Sequence, residues 1–325
     1  MLRFVLRRLF IIPLALIGIN FLGFSFAYLV SHFQRSQTIY GSGQERIEPV
    51  FPVYMEYARQ AVKLDFGNMP IGVNEPIANA VAQATLNSLG LLGIAFVLSI
   101  IFGLILGLSA VWVDPPKTAG WLSVISTVGL AMPGFYVGTL FVGMLVMSAL
   151  GSDRQPLLPV AGFGYDQHLI LPVLALAIRP SVQVAQVAGS LLAGELGKRY
   201  VVAARAFGQT WHAIRWDKAL RNVMAPVFLT FASSFRLLMA ELLLVEWLFN
   251  WPGLGRLLVL TLVPPRMASI GGLLDTSIFF MNPPLIAALL VVFGLLFLLA
   301  DSISTGMARV VDPRLRLVEE EHFNG

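Results

Sequence analysis

Residues 200–226 read YVVAARAFGQTWHAIRWDKALRNVMAP, a polar, basic interval in an otherwise apolar chain. Gly208 suits the left-handed residue that ends a helix. Thr210 suits the cap of a second helix that starts at Trp211. The pattern therefore predicts two short helices joined at 206–210, which we expect to lie across one end of a membrane bundle.

Basic and small side chains are mixed along this interval. Several Lys and Arg residues fall close together, and the small residues create a surface that another protein can approach closely. Two interpretations stay open: a docking surface for a partner protein, and an amphipathic helix resting on anionic lipid headgroups. On the docking interpretation, the contact residues are Ala203, Ala204, Arg205, Ala206, Gly208, Thr210 and Arg221.

The composition excludes an ordinary soluble domain, because 57% of the residues are hydrophobic and only 12% are charged. The net charge of +4 does not indicate a nucleic-acid partner, since the basic residues cluster in short segments between apolar runs. The chain has no cysteine, and its four histidines lack zinc-site spacing. We therefore expect a polytopic membrane protein without a metal or other cofactor.

Six apolar runs are each long enough to cross a bilayer. The first is too long for a signal peptide, and no clear cleavage site follows it. Pro133-Gly134 is expected to kink the third run. The predicted spans are residues 9–30, 87–113, 121–150, 169–192, 223–249 and 285–304.

The spans divide the chain into four predicted regions. Residues 1–31 hold the N-terminal tail and the first span, and residues 32–86 form a small external subdomain with an amphipathic helix near 53–64. Residues 87–304 form the membrane core, which includes the proposed docking helices at about 195–222, and residues 305–325 form a tail. A break at Asn250-Trp251-Pro252-Gly253 is expected to open a turn-rich external segment.

Lys and Arg residues decide the orientation. The predicted inner segments carry about twice as many of them as the outer segments, which are longer in total. Both termini and residues 200–226 are therefore expected on the cytoplasmic side.

The chain carries no motif for ATP hydrolysis or for another catalytic reaction. Its nearest approach to a P-loop, residues 194–199, lacks the first glycine spacing and the hydroxyl that binds magnesium. Metalloprotease and serine-hydrolase motifs are also missing. We expect a non-catalytic protein whose energy, if it needs any, comes from a partner.

Five ionisable residues lie inside the predicted spans, where each charge costs about 2.5 to 3.5 kcal/mol to insert. On one interpretation, Arg179, Arg236, Glu241 and Glu246 line a translocation path, with Arg179 and Glu241 near mid-membrane. On the other, Arg179 and Glu241 form an interhelical ion pair, while Glu246 and Asp301 snorkel at the span ends.

Further motifs accompany residues 200–226 in a fixed order, and together they make the chain resemble the permease subunits of binding-protein-dependent ABC importers. The resemblance is to the dipeptide, oligopeptide and nickel transport family and covers nearly the whole chain. The motifs are Leu6-Arg7-Arg8-Leu9, Leu64-Asp65-Phe66-Gly67, Thr85-Leu86, Pro133-x-Phe135-Tyr136-x-Gly138, Leu158-Pro159-Val160-x-Gly162, Ala203-Ala204-Arg205-Ala206-x-Gly208, Ala219-Leu220-Arg221-Asn222 with Pro226, Glu246-x-x-Phe249-Asn250-Trp251-Pro252-Gly253-Leu254-Gly255 and Asp312-Pro313-Arg314-Leu315-Arg316.

The resemblance implies an all-α integral membrane fold with six transmembrane helices, that of a type I ABC importer permease. It implies a non-catalytic subunit of the cell inner membrane that forms half of a translocation path with a homologous second permease, as a heterodimer. Two cytoplasmic ATP-binding subunits supply the energy, and one of them holds a coupling helix within 195–222. An extracytoplasmic solute-binding protein delivers the substrate, and membrane lipid surrounds the bundle.

The substrate class is less determined. Residues 262–284 depart from the family pattern, and Arg179 and Glu241 stand where neutral residues are expected. Di- or oligopeptides are favoured, with nickel chelates or glycans as alternatives. An ion-coupled secondary transporter that uses Glu241, Asp301 and Arg179 as a relay is a further alternative, as is a membrane scaffold, but neither needs the motif at 203–208.

Overall fold

The computed structural model describes residues 2–37, 48–69, 75–151, 156–263 and 280–311. These residues are largely helical. A turn of 3₁₀ helix, Gln167–Leu169, precedes α6, and a turn of π helix, Ile214–Ala219, joins α8 to α9. The helices are α1 (Leu2–Gln37), α2 (Val50–Ala61), α3 (Ile77–Ser109), α4 (Gly120–Ala131), α5 (Gly134–Leu150), α6 (Ile170–Leu196), α7 (Arg199–Ala206), α8 (Trp211–Ala213), α9 (Leu220–Leu248), α10 (Leu254–Leu262) and α11 (Pro283–Val311).

All six predicted apolar runs appear as helices. Among the residues that the structure describes, five helical stretches are long and apolar enough to cross a membrane, namely α1, α3, α6 with its 3₁₀ turn, the continuous stretch Trp211–Leu248 and α11. The sixth run is the bent pair α4 and α5. The expected all-α, multi-pass architecture is therefore confirmed.

The kink predicted at Pro133-Gly134 is confirmed and is sharper than expected. The axes of α4 and α5 are bent by 96°. Met132 is extended, with φ −91° and ψ 120°, as the residue before a proline prefers to be. Pro133 follows with φ −63° and ψ 145°, so two successive residues leave the helical conformation and the span is broken.

Several predicted boundaries were wrong. The second span starts at Ile77 rather than Asn87, so the end of the predicted external region is helical. The fifth span does not start at Val223, because the π turn carries the helix that begins at Trp211 directly into α9. The second helix of the interval 200–226 is thus not a short separate helix. The predicted turn-rich segment after Asn250 contains α10, and most of 262–284 lies outside the described residues.

A small β-hairpin was not predicted. Strands β1 (Val111–Val113) and β2 (Pro116–Thr118) pair antiparallel, with Val111 opposite Thr118. They replace the expected end of the second span and the loop after it. The Val-Trp-Val sequence is typical of a strand, which explains why α3 stops at Ser109.

The chain divides into two compact units, of which the first comprises Met1–Leu89 and Asn250–Leu298. Its α1 and α2 pack through an aromatic cluster that includes Phe24, Tyr54 and Tyr57. The Tyr54 hydroxyl donates to Asn20 Oδ1 at 3.2 Å, and Asn20 Nδ2 donates to the Tyr57 hydroxyl at 3.1 Å. Burial raises the pKa of Tyr57, which keeps this hydroxyl protonated. The predicted amphipathic helix therefore exists, as α2, and is fastened to α1.

Trp251 is a second anchor of this unit. Its side chain is fully buried, and its Nε1–H donates to the Asn87 carbonyl at 3.1 Å. The Asn87 side chain donates in return to the Pro252 carbonyl at 2.9 Å, and Ser88 Oγ accepts from the Leu254 N–H at 2.8 Å. These bonds explain how the Trp-Pro-Gly turn that starts α10 is held against α3.

The second unit comprises Gly90–Phe249 and Leu299–Gly325. Within it, α6 and α9 make the most extensive helix-to-helix contact of the described chain. Their interface includes Val184, Ala188, Val227 and Phe231. A Cβ at Gly107 would lie 2.5 Å from the Ala185 carbonyl oxygen, so that glycine lets α3 approach α6 closely. Both groups of predicted site residues lie in this unit.

Candidate functional site

The helix α7 ends at the turn that the sequence predicts. Gly208 has a φ of +80°, the left-handed region that favours glycine. Its N–H donates to the Arg205 carbonyl at 2.9 Å, and the Gln209 N–H donates to the Ala204 carbonyl at 3.1 Å. This pair of hydrogen bonds is a Schellman motif, which satisfies the free carbonyls at the end of α7.

The start of the next helix also agrees with its prediction. Thr210 Oγ1 accepts a hydrogen bond from the Ala213 N–H at 3.3 Å and so caps the helix that begins at Trp211. Arg205 braces the same turn, because its guanidinium donates to the Gln209 carbonyl at 2.8 Å and lies 4.7 Å from the centre of the Trp211 ring. The turn is therefore held by specific side-chain contacts on both sides of Gly208.

The predicted docking residues have different exposures. Ala204 is buried, at 6% exposed, and packs α7 against Leu192 and Leu196 of α6. Its contacts are internal, so it holds α7 in place. The exposed members of the set are Ala203, Arg205, Ala206, Gly208, Thr210 and Arg221.

Sequence reasoning missed two apolar side chains on the same surface. Val202 is 69% exposed and Phe207 is 86% exposed. Phe207 directly precedes the left-handed glycine, a position that a helix end leaves at the surface. That adjacency is the signal that could have identified it.

At the end of α6, the carboxylate of Glu195 joins three segments. Its Oε1 accepts from the Tyr200 hydroxyl at 3.1 Å and from Asn222 Nδ2 at 2.9 Å. Its Oε2 lies 2.5 Å from Lys198 Nζ. Tyr200 is on α7 and Asn222 is on α9. Glu195 is 6% exposed, and burial together with the Glu195 hydrogen bond raises the pKa of Tyr200, so the tyrosine stays a donor. We call Glu195, Lys198, Tyr200 and Asn222 the coupling end.

A second buried carboxylate lies on α9. Glu241 is 6% exposed, and its Oε1 accepts from Arg179 Nη1 of α6 at 2.8 Å. Its Oε2 accepts from the Gly134 N–H, the first amide of α5, at 3.1 Å. The carboxylate thus meets the positive end of the α5 dipole as well as a guanidinium. We call Arg179, Glu241 and Gly134 the break end.

A neutral contact links α6 and α9 between these two ends. Gln183 Nε2 donates to Ser233 Oγ at 3.1 Å, and Gln183 Oε1 accepts from Ser234 Oγ at 3.4 Å. Glu195 and Arg179 lie 16 positions apart on α6, about 24 Å at the usual helical rise. The helix pair therefore carries polar contacts along most of its length.

The ion pair predicted between Arg179 and Glu241 is confirmed. Arg236 forms a separate ion pair, in which its Nη1 lies 3.3 Å from Oδ1 of Asp301 on α11. Glu246 is fully buried, so the expectation that it snorkels at a span end is wrong. The structure thus brings Arg179 and Glu241 together, and the lining of a translocation path by Arg179, Arg236, Glu241 and Glu246 stays a prediction.

Within the described ranges, no group of three or more His, Asp or Glu residues could hold a metal ion.

Comparison with known proteins matches this chain to a family model. Residues 99–317 match the family described as binding-protein-dependent transport system inner membrane component, and this range contains both ends of the α6–α9 pair. The chain is 28% identical over 274 residues to the glutathione transport system permease protein GsiC of Escherichia coli (strain K12), an alignment that covers 83% of this chain and 80% of that protein. Proteins of the same name from Salmonella typhi and Shigella dysenteriae are also 28% identical to this chain.

Proposed function

Because the chain belongs to the family of binding-protein-dependent transport system inner membrane components, it is a permease subunit of an ABC importer, and we propose that it carries di- or oligopeptides. Such a subunit is multi-pass and non-catalytic, and it works with a solute-binding protein and with ATPase subunits. The relatives named above are glutathione permeases, and glutathione is itself a small peptide. This supports a peptide over a nickel chelate or a glycan as substrate.

The turn after α7 is the observation that carries the proposed mode of action. In this proposal α7 is the coupling helix. Together with its turn it docks in a groove of a cytoplasmic ATPase subunit, and the docking surface consists of Val202, Ala203, Ala206, Phe207 and Gly208. Burying a side chain as large as Phe207 contributes about 2 kcal/mol. Arg205 and Arg221, the basic members of the predicted docking set, are exposed, so the matching groove is apolar with an acidic rim.

The arrangement around this subunit is part of the same proposal. Its partner in the membrane is a homologous second permease, in a heterodimer, and the translocation path lies between the two chains. Both termini and α7 face the cytoplasm, as the distribution of Lys and Arg residues favours. The segment between α1 and α3 belongs to the external side, where the solute-binding protein delivers the substrate.

The break end is the proposed part of the path that senses the substrate. A peptide carries an ammonium and a carboxylate, and Glu241 and Arg179 offer the complementary charges. Arg179 keeps 31% of its side chain exposed and Glu241 only 7%, so Arg179 is the member of the pair that a substrate would contact first. Alanine variants of Arg179 and Glu241 that insert normally and transport at the wild-type rate would refute this role.

Co-purification of the ATPase subunits with the Gly208→Arg variant tests the docking. A Cβ at Gly208 meets no atom of the described residues within 4 Å, so the arginine fits sterically but adds a bulky charge and a residue that disfavours positive φ. We expect the ATPase to be lost while the permease still inserts. Gly208→Asn is the matched control, because asparagine tolerates this backbone conformation and is small. Undiminished ATPase binding by Gly208→Arg would place the docking site elsewhere.

Uptake into proteoliposomes tests the substrate. The complete transporter, with its solute-binding protein outside and ATP inside, is given glutathione, a tripeptide without cysteine, a nickel chelate or an oligosaccharide. Uptake of the two peptides, and of neither the nickel chelate nor the oligosaccharide, supports the proposal. Uptake of only the nickel chelate or only the oligosaccharide would contradict the peptide assignment and leave the permease function intact.

A further inference from the structure

The position of Glu195 is electrostatically unfavourable. It lies in the last turn of α6, where the helix dipole favours cations, and its carboxylate is buried. Neither local helix propensity nor apolar packing explains an acidic residue at this place. Its partners do, because each of them belongs to a different segment.

The apolar contacts of α7 hold it near α6 but do not fix its rotation. Val201 and Ala204 pack on Leu192, Leu196 and Ile214, and such packing is non-directional. The hydrogen bonds from Tyr200 and Asn222 to the Glu195 carboxylate are directional, and they join α7 and α9 to the end of α6. A single carboxylate therefore sets the angle between the short helix and both long ones.

We infer that Glu195 is a positioning residue that makes α7 move as one body with α6 and α9. This inference rests on the proposed function, in which α7 docks on an ATPase subunit. When the ATPase subunits close, the motion of α7 then passes to both long helices. Without the carboxylate, α7 stays docked but turns in its apolar seat, and ATP hydrolysis is uncoupled from movement of the bundle.

A pair of spin labels tests the inference without a known substrate. The chain has no cysteine of its own, so Arg199→Cys on α7 and Phe228→Cys on α9, both exposed, can be labelled selectively. In the complete transporter we expect one distance distribution in the nucleotide-free and the ATP-vanadate states. With Glu195→Ala added, the distribution should broaden and shift between the two states. An unchanged distribution in Glu195→Ala would overturn the inference.

The matched variants separate a positioning role from loss of folding. Glu195→Gln keeps the carbonyl oxygen that Tyr200 and Asn222 use, so it should restore the single distribution. Tyr200→Phe keeps the ring but removes the bond to α7, and it should reproduce part of the Glu195→Ala effect. Asp217→Ala removes an exposed acidic residue of the π turn and should change nothing. If Glu195→Ala fails to insert, an unaltered distribution in Tyr200→Phe overturns the inference.

ATP hydrolysis provides the functional measurement. We expect stimulation by the solute-binding protein, loaded with glutathione as probe, to fall about tenfold in Glu195→Ala, the factor that one net hydrogen bond to a charged group is worth. Co-purification of the ATPase should stay at the wild-type level. If the ATPase does not co-purify even with the unaltered chain, the proposed function fails. If it does and stimulation is unchanged in Glu195→Ala, only the inference fails.

Discussion

The coupling end and the break end each contain a buried glutamate carboxylate, but different kinds of donor bond it. Each places a buried glutamate carboxylate between α6 and α9. At the coupling end, Glu195 is held entirely by side chains, and one of these, Lys198, is mostly exposed. At the break end, Glu241 is held by a half-buried guanidinium and by the backbone N–H of Gly134.

The difference concerns how well each end tolerates a substitution. Three side-chain donors bond the Glu195 carboxylate, so the coupling end can lose one donor with the carboxylate still bonded. The break end is less tolerant, because a Cβ at Gly134 would lie 2.2 Å from Glu241 Oε2 and 2.6 Å from the Ala175 carbonyl oxygen. Substitutions should therefore be more costly at the break end than at the coupling end or in the exposed turn after α7, and two break-end variants and one variant of that turn test this ranking.

Glu241→Ala should have the largest effect. It leaves Arg179 without its ion-pair partner and the Gly134 N–H without its acceptor, and we expect a loss of about 3 kcal/mol of stability. Thermal unfolding in detergent, followed by size-exclusion chromatography, measures it. Glu241→Gln, which keeps an acceptor, should lose less. A melting temperature for Glu241→Ala equal to that of the wild type would show that the break end contributes no stability.

Gly134→Ala should rank second. The added methyl group clashes with a carboxylate and with backbone, and overpacking of this kind costs about 1 to 3 kcal/mol. Gly143→Ala on the same helix is the control, since a Cβ there meets no atom within 4 Å in the described part of the chain and alanine favours the helix. The same unfolding assay compares the two. Equal melting temperatures would contradict the close approach that distinguishes the break end.

Thr210→Ala should have the smallest effect. It removes the cap of the helix that follows the α7 turn, at a cost of about 1 kcal/mol. Because the turn is exposed, we expect this cost to appear as faster limited proteolysis near Gly208 and not as a large change in melting temperature. Thr210→Ser keeps the hydroxyl and should behave as wild type. A loss of stability as large as that of Glu241→Ala would reverse the ranking.

Local chemistry explains which parts could be predicted from sequence. The spans follow from the length of the apolar runs, and the α7 turn follows from Gly208 and Thr210, whose preferences act over a few residues. Proline placed the break between α4 and α5 correctly, but not its angle of 96°. The helix start at Ile77 and the β-hairpin were missed because the residues that flank them do not clearly favour one type of secondary structure.

The sequence by itself determined that the chain crosses the membrane several times and where the left-handed turn after α7 lies, because hydrophobicity and turn chemistry are local properties. Its motifs also determined which family it resembles. The tertiary structure alone decided what the buried charges do. Glu241 and Gly134 are 107 positions apart, and Glu195 and Asn222 are 27 apart. No local preference relates such residues, since only the packing of α6 against α9 and α5 brings each carboxylate to its donors.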